Sequence, residues 1–443
     1  MSYDIVIGRS KSDFDKFQNE GTVFIGKTYV KMGREVSLSN NLFLDVARSH
    51  VVLICGKRGS GKSYTMGAIA EGIIDLPENI RQNLSFVILD TMGVYWTMKH
   101  ANQKDEDMLA KWNLEPKGLN VNIYTPHSYF KKYQDEGMPT DYSFGIRPSE
   151  LMGVDWCNVF DIPEHSDAGV LVKNVIHRCK KELKVYEIQD VIKAVNLADF
   201  DQDVKRIAVN LFMEAQSWGL FNSNAESLKN IAKPGEVSII DVSCYATLPG
   251  GWNVKSLVIG LIAEKLFEDR MKSRKFEELE MVQRGFDYFK TQEELTSKEK
   301  MPLVWLVIDE AHEFLPSKGT TPALAALKTI LREGRQPGIS LILATQQPGK
   351  IHSDVITQSD IVISHRITAK KDIDALGEVM QSYMGQGLVD VVNNLPREPG
   401  AAVLLDDTSE RIIPMRIRPR ITWHGGEAPS AVHKIKRGAG LDF

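Results

Sequence analysis

One eight-residue stretch, residues 56–63, limits what this chain can fold into more than any other. It reads Gly-Lys-Arg-Gly-Ser-Gly-Lys-Ser and fits the G-x-x-x-x-G-K-S pattern of a P-loop, or Walker A motif. The apolar run at 51–55 before it predicts a buried strand, and apolar residues at helical spacing after it predict a helix. The motif therefore has the strand–loop–helix context that a phosphate-binding loop requires.

The residue types explain why this loop suits a nucleotide phosphate. Glycines let several backbone N–H groups face one anion, and the following helix turns its positive end toward the same point. We expect Lys62 to contact the β- and γ-phosphates of ATP and the Ser63 hydroxyl to bind Mg²⁺. A glycine-rich turn with a chance Lys-Ser pair would not account for the flanking strand and helix. The predicted nucleotide-binding residues are Gly56, Lys57, Arg58, Gly59, Ser60, Gly61, Lys62, Ser63 and Tyr64.

Composition limits the class of protein. The chain has 443 residues, of which 43% are hydrophobic and 25% charged, as in ordinary globular proteins. No apolar run approaches the length of a membrane span and no signal peptide is visible, so we expect a cytoplasmic protein without a membrane partner. The formal net charge of −4 gives no global support for nucleic-acid binding, which would need a local basic patch. The four cysteines lack metal-ligand spacing and predict buried thiols.

From residue 51 onward, strand candidates alternate with helical segments. The predicted strands occupy 85–90, 121–125, 237–242, 303–309, 340–344 and 361–367. Several are continuous apolar runs, which is typical of a mostly parallel sheet covered on both faces. Near the end, 401–405 and 410–418 predict an antiparallel pair. The expected fold class is α/β, with a RecA-like P-loop ATPase core.

The pattern also predicts how the chain is divided. A short N-terminal β region occupies 1–48, the ATPase core 49–426, and a flexible tail 427–443. Two insertions interrupt the core. Residues of about 150–230 carry three apolar helical stripes and predict a helical bundle, whereas about 272–300 is dense in charge and indicates a solvated helix or mobile connector.

A second apolar strand, at 303–308, ends in Asp309 and Glu310. Because ligands of open α/β sheets bind at the carboxyl ends of strands, these residues suit a Walker B site. We expect Asp309 to hold Mg²⁺ and Glu310 to polarise the attacking water. Residues 309–312 spell DEAH, but no later stretch supplies the arginine-rich motif that a superfamily-two helicase carries on a second RecA-like domain.

A further strand ends in Ala-Thr-Gln and places Gln346 where an amide senses the γ-phosphate or orients water. Arg332 and Arg335 are assigned to one helix from which they reach outward. An arginine finger for a neighbouring subunit is one use of such a residue, and a surface salt bridge remains the alternative for either.

Together these motifs resemble the HerA/FtsK class of ring-forming ATPases, and HerA most closely. Besides the P-loop, the matching pieces are residues 89–95, 309–312, 332–335, 344–346, 364–367 and 424–426. The resemblance covers about 50–426. It implies that Glu310 activates water, that Gln346 acts as a sensor and that Arg335 reaches a neighbour's nucleotide. HerA proteins carry another inter-subunit arginine just before the first core strand. This chain has Arg48-Ser49-His50 there, so its arginine is shifted from the family's position. The roles of Arg48 and His424 stay open.

The resemblance further implies a homo-hexameric ring that passes double-stranded DNA through its channel. It implies a separately encoded nuclease partner, in end resection or antiviral defence. Lys131 and Lys132, expected in a loop after a strand, and Lys318 are candidate DNA contacts, although solvated lysines are the simpler interpretation of each.

Two other functions remain compatible with the sequence. One is a ring ATPase scaffold that regulates a separately encoded defence effector, suggested by an N-terminal region shorter than the family's barrel. The other is a P-loop ATPase that does not act on DNA, for example one that drives secretion, and the acidic net charge is its support.

Overall fold

A computed structural model describes residues 4–32, 35–223, 231–248, 250–286, 300–367, 369–380 and 395–426. The strands are β1 (Ile5–Ile7), β2 (Thr22–Met32), β3 (Glu35–Asp45), β4 (Val51–Cys55), β5 (Leu84–Asp90), β6 (Val121–Pro126), β7 (Tyr142–Phe144), β8 (Val237–Asp241), β9 (Leu303–Ile308), β10 (Ile339–Thr345), β11 (Ile361–His365), β12 (Ala401–Asp406) and β13 (Arg411–Ile417).

The helices are α1 (Lys11–Phe17), α2 (Lys62–Ile74), α3 (Glu78–Arg81), α4 (Glu106–Lys111), α5 (His127–Asp135), α6 (Gly153–Val159), α7 (Asp167–Glu182), α8 (Ile188–Leu197), α9 (Gln202–Ser217), α10 (Gly251–Phe286), α11 (Leu324–Glu333), α12 (Ser353–Gln358) and α13 (Lys370–Met380). Short 3-10 helices include Tyr95–Lys99 and Ala311–Glu313. None of the helices described is both long and apolar enough to cross a membrane.

The strands described form one sheet in the order β1-β3-β2-β13-β12-β11-β4-β10-β9-β5-β8-β6-β7. From β11 to β7 every neighbouring pair is parallel. These strands are almost wholly buried apolar runs, as expected where helices cover both faces. The mostly parallel sheet with helices confirms the predicted α/β fold class, and it places the P-loop strand β4 between β10 and β11.

The N-terminal β region continues this sheet. Within the predicted β region at 1–48, residues 22–32 form one strand, β2, whose pairing with β3 is irregular near Gly26 and Thr28. On its other side β2 pairs antiparallel with β13, with Thr28 opposite Met415. Among the residues described, β1–β3 therefore extend the sheet of the core.

Alternate residues of each strand divide the interior into two layers. Leu53 and Cys55 of β4 face one apolar cluster, which also contains buried residues of α6 to α11. Val52 and Ile54 face the second cluster, together with α2 and the N-terminal strands. The helices of the predicted bundle, α6 to α9, thus share a core with the sheet and do not enclose one of their own.

The charged connector begins as a helix. The long helix α10 runs to Phe286 and includes the first part of the stretch 272–300. Residues 287–299 and the predicted tail at 427–443 lie outside the described residues.

Candidate functional site

The sheet brings three strand ends together. The P-loop follows β4, Gln346 follows β10, and Asp309 follows β9, and these three strands are consecutive and parallel in the sheet. Because parallel strands end at the same edge, the P-loop, the acidic pair and the amide meet at one place despite their distance in sequence.

The P-loop is fixed by backbone bonds to the strands on either side. Gly56 N donates to Thr345 O of β10 at 3.2 Å, and Lys57 N donates to Arg366 O after β11 at 3.4 Å. A Cβ on Gly56 would lie 2.8 Å from the Cβ of His365, so a larger residue would push the loop from its support. Gly61 has a φ of 111°, in the left-handed region that favours glycine.

Lys62 and Ser63 open the helix α2. The Lys62 side chain is buried, and the Ser63 hydroxyl donates to Asp309 Oδ2 at 2.7 Å. Burial raises the pKa of the Asp309 carboxyl, and its neighbour Glu310 raises it further against the opposing Ser63 hydrogen bond. A hydroxyl and a carboxylate in contact are hard oxygen donors of the kind that Mg²⁺ binds, so this pair fits the predicted metal.

Glu310 is held in an unusual conformation with one oxygen unengaged. Its φ of 52° lies in the left-handed region, which costs free energy for a non-glycine residue and is typical of functional sites. The Gln346 amide donates to Glu310 Oε1. Oε2 is buried and has no hydrogen-bond partner among the residues described. The carboxylate is therefore oriented by Gln346 and keeps a free acceptor.

His312 joins this group, although the sequence reasoning gave it no role. Its Nδ1 lies 3.1 Å from Thr345 Oγ1, and its Nε2 lies 3.3 Å from the Gln347 amide nitrogen. Burial lowers the pKa of His312, so the ring is neutral at pH 7. The ring therefore links the end of β9 to the end of β10. The signal for it was its place three residues after Asp309 at the strand end.

His365, at the end of β11, supports the P-loop from behind. Its Nε2 is 2.8 Å from the Thr65 hydroxyl, and its Nδ1 is 3.2 Å from Ala401 O, a carbonyl that can only accept. Burial lowers the pKa of His365 to about 4. A neutral ring with its proton on Nδ1 satisfies the Ala401 contact.

A tight turn after β5 lies next to Ser63. Asp90 accepts hydrogen bonds from the backbone N–H groups of Met92, Gly93 and Tyr95 at 3.1, 2.7 and 2.9 Å. Burial and then the adjacent Asp241 raise the pKa of Asp90. The Tyr95 hydroxyl contacts Met66 Sδ at 3.8 Å, and a hydrogen bond with Ser63 counters the rise in pKa that burial imposes on this tyrosine.

The two candidate arginines differ. Arg332, on α11, forms an ion pair with Asp354 at 2.7 Å, which corresponds to the surface salt bridge alternative. The structure corrects the assignment of Arg335 to the same helix, because α11 ends at Glu333. Arg335 is exposed in the turn before β10 and has no ion-pair partner among the residues described. The buried Arg270 anchors this turn through Pro337 O at 2.7 Å.

This turn precedes β10, so Arg335 lies at the amino end of a strand whose carboxyl end carries Gln346. The length of a buried seven-residue strand, about 23 Å at 3.3 Å per residue, separates it from the P-loop of its own chain.

The remaining candidates are spread over the surface. Lys131 and Lys132 lie on α5, not in the predicted loop, because the chain turns into a helix directly after β6. Lys318 is exposed in the segment after β9. Arg48 contacts residues of its own chain: it forms an ion pair with Asp13 at 2.7 Å and lies over the Phe17 ring.

The chain is similar to known proteins in both sequence and fold. A family model for the central domain of the helicase HerA matches residues 24–249, which is more than half of the chain. The chain belongs to the HerA family. It is a HerA-family P-loop ATPase, as its sequence motifs indicated.

Two curated HerA proteins match over shorter stretches. The DNA double-strand break repair helicase HerA of Pyrococcus furiosus is 29% identical over 188 residues, which cover 41% of this chain and 32% of the relative. A probable HerA of Methanocaldococcus jannaschii is 38% identical over 69 residues, or 16% of this chain and 14% of the relative. The matched segments span at most about a third of these HerA relatives.

Solved structures share the fold across nearly the whole chain. VirB4 of Thermoanaerobacter pseudethanolicus superposes with a TM-score of 0.55 at 12% identity, over 90% of this chain and 97% of VirB4. The bacterial conjugative coupling protein TrwB gives a TM-score of 0.50 at 11% identity, over 92% of this chain and 97% of that chain. At such identities the likeness shows the fold alone, that of RecA-like P-loop ATPases.

Proposed function

We propose that this HerA-family ATPase hydrolyses ATP as a homo-hexameric ring motor on double-stranded DNA, together with a separately encoded nuclease. The observation that carries the proposal is the meeting of Lys62, Ser63, Asp309, Glu310 and Gln346 at one sheet edge. The names of the HerA relatives supply the link to DNA double-strand break repair. Antiviral defence is the other setting in which such a nuclease-coupled motor would act.

Hydrolysis follows from the roles of these side chains. Loop N–H groups and Lys62 hold the triphosphate, and Ser63 and Asp309 would hold Mg²⁺, which supplies charge neutralisation at the phosphates. The free Oε2 of Glu310 accepts a proton from a water molecule whose oxygen attacks the γ-phosphorus. The bond from that phosphorus to the β–γ bridging oxygen breaks, and ADP and phosphate result. Gln346 keeps Glu310 aligned.

Arg335 supports an arrangement in which active sites are completed between subunits. Its side chain is exposed, it sits at the far end of β10 from its own P-loop, and its turn is fixed by Arg270. Such an arginine can serve only a neighbour's nucleotide, where it would stabilise the charge that develops on the transferring phosphate.

Mixing two inactive variants tests this arrangement. We expect Glu310→Gln and Arg335→Ala each to lose about 10³-fold in kcat, in line with a catalytic base and an arginine finger. Mixed rings should recover part of the activity, because a Glu310→Gln subunit still offers its arginine to a neighbour with an intact Glu310. The measurement is phosphate release with and without duplex DNA, combined with the mass of the assembly in solution.

Arg332→Ala is the matched control for this experiment. It removes an exposed arginine that lies on the neighbouring helix α11 and already pairs with Asp354, so the activity of this variant should stay near that of the parent. A monomeric protein whose rate of ATP hydrolysis is the same with and without duplex DNA would contradict the proposed ring motor. Full activity of Arg335→Ala alone would remove the contribution between subunits.

A further inference from the structure

A cavity of about 690 Å³ opens between the segment after β5 and the segment after β13. Two segments line it. The first, after β5, contributes Gly93, Trp96, Thr97 and His100, and the second, after β13, contributes Trp423 and Gly425. Trp96 and Trp423 remain 36% and 40% exposed, although large aromatic side chains usually bury more of their surface. The volume lies within the range of small-molecule sites, and the tryptophans give it flat apolar walls.

The first wall is tied to the phosphate site through a single residue. Trp96 follows Tyr95, whose hydroxyl lies beside Ser63 and Met66 of α2. The Asp90 carboxylate fixes the backbone of this segment through three N–H groups, among them that of Gly93 in the cavity wall.

The second wall is tied to the next residue of the P-loop helix. The Tyr64 hydroxyl accepts a hydrogen bond from Arg420 N at 2.7 Å, and the Tyr64 ring meets the His424 ring edge-on at 5.4 Å. His424 stands between Trp423 and Gly425, which both line the cavity. In each wall, the residue next to the tryptophan in sequence therefore contacts the start of α2: Tyr95 lies beside Ser63, and His424 packs on Tyr64.

A buried carboxylate on α2 sets the position of the second wall. Glu71 is fully buried and accepts from Arg418 at 2.8 Å, Arg420 at 3.1 Å and the Thr422 hydroxyl at 2.6 Å. Thr97 closes the cavity between its walls, since its hydroxyl contacts Trp423 O at 3.1 Å. The cavity is thus built on the same helix that presents Lys62 and Ser63.

We infer that this cavity is the base subsite for the nucleotide held on the P-loop, with the adenine ring of ATP stacking on Trp96 and Trp423. The inference rests on the proposed binding of ATP at Lys62 and Ser63, and it adds the residues that would recognise the adenine base of the same ATP molecule. Base–aromatic stacking is a strong contact that every base can make through its flat π-face, and the Gln103 amide in the lining can hydrogen-bond the edge of the ring. Residues 418–426, after β13, therefore form part of the nucleotide site.

Calorimetric titration with a non-hydrolysable ATP analogue and with inorganic triphosphate tests the inference. In Trp96→Leu and Trp423→Leu, which keep an apolar side chain and remove the aromatic face, we expect the analogue to bind about tenfold more weakly. Triphosphate has no base, so its affinity should not change. Trp252→Leu is the matched control, because Trp252 is 38% exposed and does not line the cavity.

Three outcomes would overturn the inference. Equal weakening of the analogue and of triphosphate would mean that the tryptophans act on the loop itself. Unchanged binding of both would mean that the base lies elsewhere, while loss of binding in Lys62→Ala would still support the phosphate site. Loss of binding to a single-stranded oligonucleotide, with unchanged binding of the analogue, would assign the cavity to bases of a nucleic acid.

Discussion

At the scale of single residues, the two carboxylate oxygens of Glu310 have different environments, and this difference determines which of them can act as the base. Gln346 donates to one oxygen of Glu310. The other oxygen is buried, has no hydrogen-bond partner in the part of the chain that the structure describes, and lies 3.6 Å from His312 Nδ1. The sequence predicted Glu310 and Gln346 separately because each follows an apolar strand. It could not predict that they touch or that His312 bridges the two strand ends, because those contacts depend on the order of strands in the sheet.

Gln346→Ala should therefore slow hydrolysis and leave binding intact. Without the amide, Glu310 is free to leave its strained conformation, and we expect kcat to fall about 10²-fold, as when other orienting hydrogen bonds are removed. ATP affinity should change little, because the loop and Lys62 are untouched. Single-turnover kinetics beside equilibrium binding separate the two effects.

The control for this prediction is Gln358→Ala, since Gln358 is an exposed glutamine at the end of α12. Weakened ATP binding without a change in the chemical step would assign Gln346 to ground-state binding.

At the scale of elements, apolar runs located the strands well. The runs at 51–55, 85–90 and 303–308 coincide with β4, β5 and β9 within a residue. By contrast, β3 contains Ser39, Asn40 and Asn41, which have low strand propensity and indicate a turn. Nine residue pairs with β2, on either side of the irregularity at Ser39 and Asn40, outweigh that local preference, and a sequence pattern does not reveal such long-range support.

The segment after β13 depends on a buried charge cluster that no pattern predicts. Burial alone would raise the pKa of Glu71, but Arg418 and Arg420 outweigh it and hold the pKa below its usual value. Glu71→Gln would leave two buried guanidinium groups without a carboxylate, and we expect a loss of about 3–5 kcal/mol in the free energy of unfolding.

Chemical denaturation measures this loss, and hydrogen exchange should show reduced protection at residues 418–426 first. Glu78→Gln, an exposed glutamate of the same chemistry on α3, is the control and should unfold as the parent does. Parental stability of Glu71→Gln would show that the cluster contributes no net free energy.

At the scale of the whole molecule, a buried ion cluster joins the N-terminal strands to the P-loop strand. Arg9 pairs with Asp45 at 2.7 Å, and His50, directly before β4, contacts Asp360 at 2.6 Å and Asp45 at 3.6 Å. Val51 N of β4 donates to the second Asp360 oxygen at 2.8 Å. These contacts link residues on both sides of the predicted boundary between the N-terminal region at 1–48 and the core. We propose that the two parts move as one.

The cluster makes stability depend on pH. Burial favours neutral His50, but the hydrogen bond to Asp360 and the nearby negative charge of Asp45 outweigh it and raise the pKa of His50 from 6.5 to about 9. The folded state then binds this proton more tightly than the unfolded state. The stabilisation is complete below pH 6.5 and is lost as the pH rises through about 9, with a magnitude on the order of 3 kcal/mol.

Urea unfolding between pH 6 and pH 10 checks this. The parent should lose stability across the range, and His50→Gln, which cannot take up a proton, should be less stable at pH 6 and show a flatter profile. Parallel profiles for the two proteins would exclude His50 as the titrating group.

The order of the strands also governs how the chain can fold during synthesis. The P-loop strand β4 obtains its neighbours β10 and β11 only from residues 339–365, and β2 obtains β13 only when residue 417 has been made. More than 280 residues that follow β4 therefore emerge from the ribosome before this central strand has either partner. Until then both edges of β4 lack a partner strand, and protection by chaperones matters most while residues 56–339 are being made.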